Sequence, residues 1–111
     1  MALTKEQILA ARPVPTKTIS VPEWGGEVLI RPLTAAEKGR IDDRYPEGKQ
    51  FEMRAHIVVL GVCDEDGKPL FTMDNIKRLN EQAIGAIERV AAEIMKFSYF
   101  TLEDVDAFEK K

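Results

Sequence analysis

The chain has 111 residues, 44% of them apolar and 32% charged, with a net charge of −3, which fits one small soluble domain with a modest core and excludes wholesale disorder. Acidic and basic residues are interspersed and no basic stripe carries aromatics, so nucleic-acid binding, which draws its affinity from neutralised phosphates, is disfavoured. The one cysteine, Cys63, permits no internal disulfide and fits a reducing compartment; with no apolar run near membrane-span length and no secretory signal at the start, a cytosolic protein is expected.

Thr4-Lys5-Glu6-Gln7 has the form of a capping box and predicts a short helix to about Ala11, with Ile8 and Leu9 as its apolar contacts. Arg12-Pro13-Val14-Pro15 ends it, because proline cannot donate and disfavours helix before itself. Residues 1–15 thus read as a short helix and a Pro-containing linker ahead of a single domain, 16–111.

The domain opens on β-branched residues, with Ile19 and Val21 on one face. After Pro22-Glu23-Trp24-Gly25-Gly26, Val28, Ile30 and Pro32 share a face, and Leu29 and Arg31 take the other. Period-two patterns around a glycine-containing connection predict a β-hairpin over 16–33, with Pro22 and Pro32 at strand ends or an edge. Thr34-Ala35-Ala36-Glu37 is a second capping box, opening a helix over 34–45 that Pro46-Glu47-Gly48 breaks. A helix over 51–62 comes next, with Phe51, Ala55, Val58, Val59 and Val62 along one side. Asp64-Glu65-Asp66-Gly67 makes a turn, and Lys68 to Phe71 runs extended.

Thr72 or Asp74 then caps a long helix over 73–96. Its apolar positions Ile76, Leu79, Ala83, Ile84, Ile87, Val90, Ala91 and Ile94 keep helical spacing. Thr101-Leu102-Glu103-Asp104 opens a terminal helix over 101–109. The fold class is α+β, mainly α: an N-terminal β-hairpin followed by a small helical bundle with one long amphipathic helix. Caps and periodicity agree throughout, which is the mark of a consistent reading.

Catalytic apparatus is not visible. His56 is the only histidine and has no nucleophile motif to serve; it reads as structural or surface. Cys63 ends an apolar helix and precedes Asp64, Glu65 and Asp66, a setting that opposes a thiolate. With Gly67 at position six of a calcium loop, Val62 and Met73 would fall at positions one and twelve, so the segment reads as a polar turn in which Gly67 takes a positive φ. No Gly-rich phosphate loop, CxxC or HExxH occurs. No catalytic, cofactor-binding or metal-binding residue is assigned, and a non-enzymatic binding or assembly protein is expected.

The segments LTKEQILAA, VPEWGGEVLIRPLTAAEKGRID, VCDEDGKPLFTMDNIKRL and LEDVDAFEKK, in that order, resemble the tail assembly chaperones of long-tailed bacteriophages. The resemblance covers nearly the whole chain; no single motif is chemically specific, but their order and spacing are. It implies a late phage or prophage protein of the host cytoplasm that coats the tape-measure protein, keeps it soluble, and is absent from the mature virion. It also implies a longer, frameshifted form that recruits the tail-tube protein; Glu109-Lys110-Lys111 can be encoded by a slippery run. One departure is Lys96-Phe97-Ser98-Tyr99-Phe100, aromatic where relatives carry a polar glycine-containing linker.

The partner is thus expected to be an apolar helix, bound by the long helix and the terminal segment, with weak self-association. Candidate partner-binding residues are Trp24, Phe97, Tyr99, Phe100, Leu102, Val105 and Phe108, chosen for aromatic density and because tryptophan often anchors interfaces. For Trp24 the first reading is packing over the hairpin or an adjoining helix, the second an assembly contact. For the terminal cluster, closure of the domain's own core stays open at this chain length. Two other functions also stay open: a structural tail-completion or adaptor protein, and a regulatory adaptor of a mobile element.

Overall fold

The computed structural model describes residues 2–10, 15–46 and 50–98. The linker at 11–14, the breaker Glu47-Gly48 and the terminal helix expected over 101–109 lie outside the described residues.

The first helix, α1 (Lys5–Leu9), begins at the expected box: Gln7 N–H donates to Thr4 Oγ1 at 3.2 Å and Thr4 N–H to Gln7 Oε1 at 2.9 Å. Its apolar residues are not buried. Ile8 is 57% and Leu9 74% exposed, and Leu3 ahead of them is exposed too. A five-residue helix has one face of barely a turn, too short to bury a stripe by itself.

β1 (Lys17–Val21) and β2 (Gly26–Ile30) pair antiparallel, with Ile19 opposite Val28 and Val21 opposite Gly26. Paired residues share a face, so Ile19, Val21, Val28 and Ile30 line one side of the hairpin, and Val21 and Ile30 are fully buried. The turn is a 3-10 turn, Pro22–Trp24, closed by Gly25 at φ +74°, a conformation that favours glycine. Gly26 needs no such freedom; it is the first residue of β2.

The next two helices are α2 (Ala35–Arg44) and α3 (Gln50–Gly61). The helix expected over 51–62 was to run through Val62; the chain instead turns out at Gly61 and Val62–Cys63 forms a third strand, β3, pairing Ile30 with Val62 and Leu29 with Cys63. The sheet order is β1-β2-β3. After β3 the chain doubles back: Asp64 N–H donates to Lys68 O at 2.8 Å, Leu70 N–H to Val62 O at 3.1 Å, and Gly67 sits at φ +80°.

The single helix expected over 73–96 is divided. A 3-10 turn (Met73–Asn75) leads into α4 (Ile76–Asn80), and α5 (Ile84–Ser98) starts after three residues of turn. Glu81 and Gln82 donate to Arg78 O and Leu79 O, three residues back rather than four. Three residues are close to one helical turn, so the apolar spacing stays in phase across the break and does not betray it. Ile84, placed on the apolar face by that spacing, is 55% exposed; Ala86, Ile87, Val90, Ala91 and Ile94 are buried.

α3 is the central helix, packed against α2, α4, α5 and β3. Five successive residues, Ala55 to Val59, are buried, so α3 is enclosed on more than the one side its sequence suggested. Where α3 meets α5 there is no room to spare. A methyl group on Gly61 would lie 2.5–2.8 Å from three side-chain carbons of Ile94, itself fully buried. We expect Gly61→Ala to cost about 1–3 kcal/mol through overpacking, and less than that on an Ile94→Val background because the two changes share one space. Urea unfolding followed by the fluorescence of Trp24 checks both.

Candidate functional site

Trp24 lies on the hairpin turn, half-buried against the hydrophobic core. The turn packs on α5. Beside it, Arg89 of α5 donates to the Glu23 carboxylate from Nε at 3.2 Å and from Nη2 at 3.1 Å, and these hydrogen bonds hold the Glu23 carboxyl below the usual carboxylate range. Lys17 Nζ lies 3.7 Å from Glu93 of α5. Charge contacts thus fasten hairpin to helix on the outside, while Trp24 and Val21 fasten them within.

At the other end of β2, Arg31 is buried at 8% exposure. Its guanidinium grips Glu37 with two bonds, Nη1 to Oε1 at 3.0 Å and Nη2 to Oε2 at 2.7 Å, and Nη1 also donates to Pro32 O. Glu37 Oε1 accepts Thr34 N–H at 2.9 Å, and Thr34 Oγ1 accepts Glu37 N–H at 3.1 Å, completing the cap of α2. Burial pushes the Glu37 carboxyl up, but the Arg31 and Thr34 hydrogen bonds outweigh it and hold it below the ordinary value. Next along, Leu33 N–H donates to Ser98 Oγ at 2.9 Å, and Ser98 Oγ donates to Ile94 O at 2.7 Å. The sequence signals the cap through T-x-x-E, but nothing local signals that Arg31 would reach back to it.

Two apolar concavities flank this frame. One, about 290 Å3, lies between α3 and α5; it is lined by Met53, Ile57, Ala91, Ala92 and Met95, with Arg54 and Glu88 at its edge. Arg54 Nη1 donates to Glu88 Oε1 at 3.1 Å. On the far side of this pair a second hollow of about 270 Å3 continues to exposed Ile84 and buried Ile87, with Asn80 and Gln82 also in its wall. The groove therefore runs along α5 for most of its length, crossed once by an ion pair. Two methionines beside it suit variable apolar side chains, since the thioether chain is flexible and polarizable. The other concavity, about 470 Å3, is formed by α2, the loop before it and Ser98.

The titratable groups singled out in the sequence are occupied structurally. His56 is buried, its Nδ1 3.3 Å from Tyr45 Oη and its ring edge-on to Tyr45. Burial lowers its pKa, and nearby Arg44 adds to the effect while Glu37 opposes it. Burial pushes the Cys63 thiol up. Asp64 Oδ1 accepts the Asp66 and Lys68 amides within its own turn. Among the described residues no group of three or more His, Cys, Asp or Glu could hold a metal ion, and no helix is long and apolar enough to cross a membrane.

Of the candidate partner-binding residues, Trp24 is half-buried and Phe97 is a core residue at 9% exposure. Tyr99, Phe100, Leu102, Val105 and Phe108 lie outside the described residues. The groove residues Met53, Ala92 and Met95 were not anticipated. The sequence placed them on helices but could not say which two helices would flank a common hollow.

No family model matches the chain, and no curated protein matches it. Among solved structures it is similar to the bacteriophage HK97 tail assembly chaperone, with a TM-score of 0.66 at 20% identity over 86% of this chain and 94% of that one. At that identity the likeness is one of fold, and it spans nearly both chains. The α+β architecture and the resemblance read from the sequence are borne out at that level.

The buried histidine gives a pH prediction. His56 has a folded pKa below its ordinary value of about 6.5, so the unfolded chain takes up the proton first. Its contribution to stability is complete above about pH 6.5 and is lost as pH falls through the folded value. We expect the melting temperature to drop between pH 7.5 and 5.5. His56→Gln, in a chain with no other histidine, should be flat over the same window in matched thermal melts.

Proposed function

We propose that this protein is a tail assembly chaperone of a long-tailed phage or prophage. It acts in the bacterial host cytoplasm, binds an apolar helical stretch of the tape-measure protein, and keeps that protein soluble until tail-tube subunits replace it. The observation that carries the reading is the fold likeness to the HK97 tail assembly chaperone over 86% of the chain, which is independent of the motif order in the sequence.

The groove along α5 supports it physically. A helix laid into an apolar groove uses anchors at i, i+3, i+4 and i+7, and a tape-measure protein presents such faces repeatedly. Binding this way needs no catalysis, and the buried histidine and cysteine are given over to packing. Weak self-association fits the same role, because coating a long partner takes many copies. A longer frameshifted form would add the segment that recruits the tube protein.

The test is co-expression with the neighbouring tape-measure gene. The soluble fraction of the tape-measure protein should rise several-fold with this chain present, and Ala92→Glu with Met95→Glu should abolish the gain, because a charge placed in an apolar groove is costly to desolvate. A tape-measure protein equally insoluble with and without the chain would sink the assignment.

A further inference from the structure

Given a partner helix in the α3–α5 groove, the reading on which this rests, we propose that the helix carries one basic residue in the middle of its apolar stripe, and that Glu88 selects it. The two hollows of the groove share Arg54 and Glu88 in their walls. The ion pair of these residues, Arg54 Nη1 to Glu88 Oε1 at 3.1 Å, therefore stands between the hollow with Met53 and Met95 and the hollow with Ile84. A helix long enough to use both hollows has to pass over it.

Of the two charges, the carboxylate is the more open to solvent. The Glu88 side chain is 47% exposed and that of Arg54 30%. Within the described residues Glu88 Oε1 takes the Arg54 bond and Oε2 accepts none, so the carboxylate keeps room for a second donor. An apolar residue laid over it would strip its water and replace no hydrogen bond. An acidic residue would be repelled. A lysine or arginine replaces the lost water with a charge-assisted bond, and its methylene stem covers apolar surface beside the pair.

α5 sets the spacing. Ile84, Glu88, Ala92 and Met95 follow one another at four, four and three residues, along one stripe of the helix. Ile84 and Ala92 thus lie about 6 Å to either side of Glu88 along the axis, and Met95 about 10 Å from it. Ile84 and Ala92 are exposed and Met95 is half-buried, so each offers contact. A partner helix running along this stripe meets it with an apolar residue, the basic residue four positions on, and further apolar residues four and seven positions past that, read in either chain direction. A helix with an unbroken apolar stripe fits either hollow alone but is disfavoured at the crossing.

Fluorescence anisotropy of labelled synthetic peptides titrated with the full chain tests it. The peptides are amphipathic, of about fifteen residues, near the length at which an isolated helix persists. They carry leucines at the spacing above and differ only at the middle position, which is Lys, Gln or Glu. We expect the Lys peptide to bind about threefold more tightly than the Gln peptide and about tenfold more tightly than the Glu peptide in low salt, with both gaps narrowing in high salt. Glu88→Gln should remove the Lys preference, and the exchanged pair Arg54→Glu with Glu88→Arg should make the Glu peptide the tightest. Equal binding of all three to the parent chain would overturn selection by Glu88 and leave the groove reading standing. So would a Glu peptide that binds the parent chain best, which would make Arg54 the selecting charge. Should the exchanged pair lower the melting temperature sharply, Glu88→Gln decides: a Lys preference that survives it overturns the proposal, and one that vanishes supports it. If none of the three binds, or all bind Met95→Glu undiminished, the groove reading fails and the proposal with it.

Discussion

The Arg31–Glu37 pair is the joint from which the other contacts are set. Arg31 lies just past the end of β2, and its own amide donates to Gly61 O at the end of α3 at 2.9 Å. Its guanidinium holds Glu37 in the first turn of α2, and Glu37 in turn completes the Thr34 cap. Sheet, α2 and α3 therefore meet at one residue. Both partners are largely removed from water, with side-chain exposures of 9% and 14%. Such a pair is costly to desolvate, and removing one member leaves the other charge stranded, at a cost of about 3–5 kcal/mol. The bidentate geometry also fixes direction, which a greasy contact would not. Two residues further along, Leu33 catches Ser98, so the end of α5 is set by the same loop.

With that corner fixed, the described residues leave grooves at the surface, while His56 and Cys63 are buried. α5 is held to the hairpin by Arg89 and Lys17 contacts on one flank and to α3 by its buried face on the other. The flank left over is the groove with Met53, Ala92 and Met95. A rigid helix pair with an adaptable lining is a reasonable device for holding a partner that repeats its chemistry without repeating its sequence. The exposed Leu3, Ile8 and Leu9 at α1 add a separate apolar surface near the start of the chain.

Elements that carry their own hydrogen-bonding signal were legible in the sequence. Thr4 and Thr34 announced their helices through boxes that close within four residues, and the Val21-to-Gly26 reversal announced the hairpin through period-two patterning and Gly25. Features that depended on distant neighbours were not legible. Val62 and Cys63 extend an apolar helix pattern, and only the free edge of β2 makes them a strand. The turn at 81–83 keeps helical phase, so the two helices α4 and α5 read as one. Val58 and Ile57 look alike in sequence; that both are buried comes from α2, α4 and α5 surrounding α3. For the binding surface the sequence pointed to aromatics, of which the described residues include Trp24, half-buried, and Phe97, buried; the hollows along α5 are lined by Met, Ala and Ile, residues common in any helix.

The functional reading turns on a partner helix lying in the α3–α5 groove. Chemical-shift mapping of the full chain with a synthetic amphipathic helix from the tape-measure protein tests this directly. We expect the largest shifts at Met53, Ile57, Ala92 and Met95, with methyl contacts from the peptide to both methionines and small changes on the hairpin's outer face. Saturable shifts confined to the hairpin or to α1, with Met53 and Met95 unmoved, would contradict it.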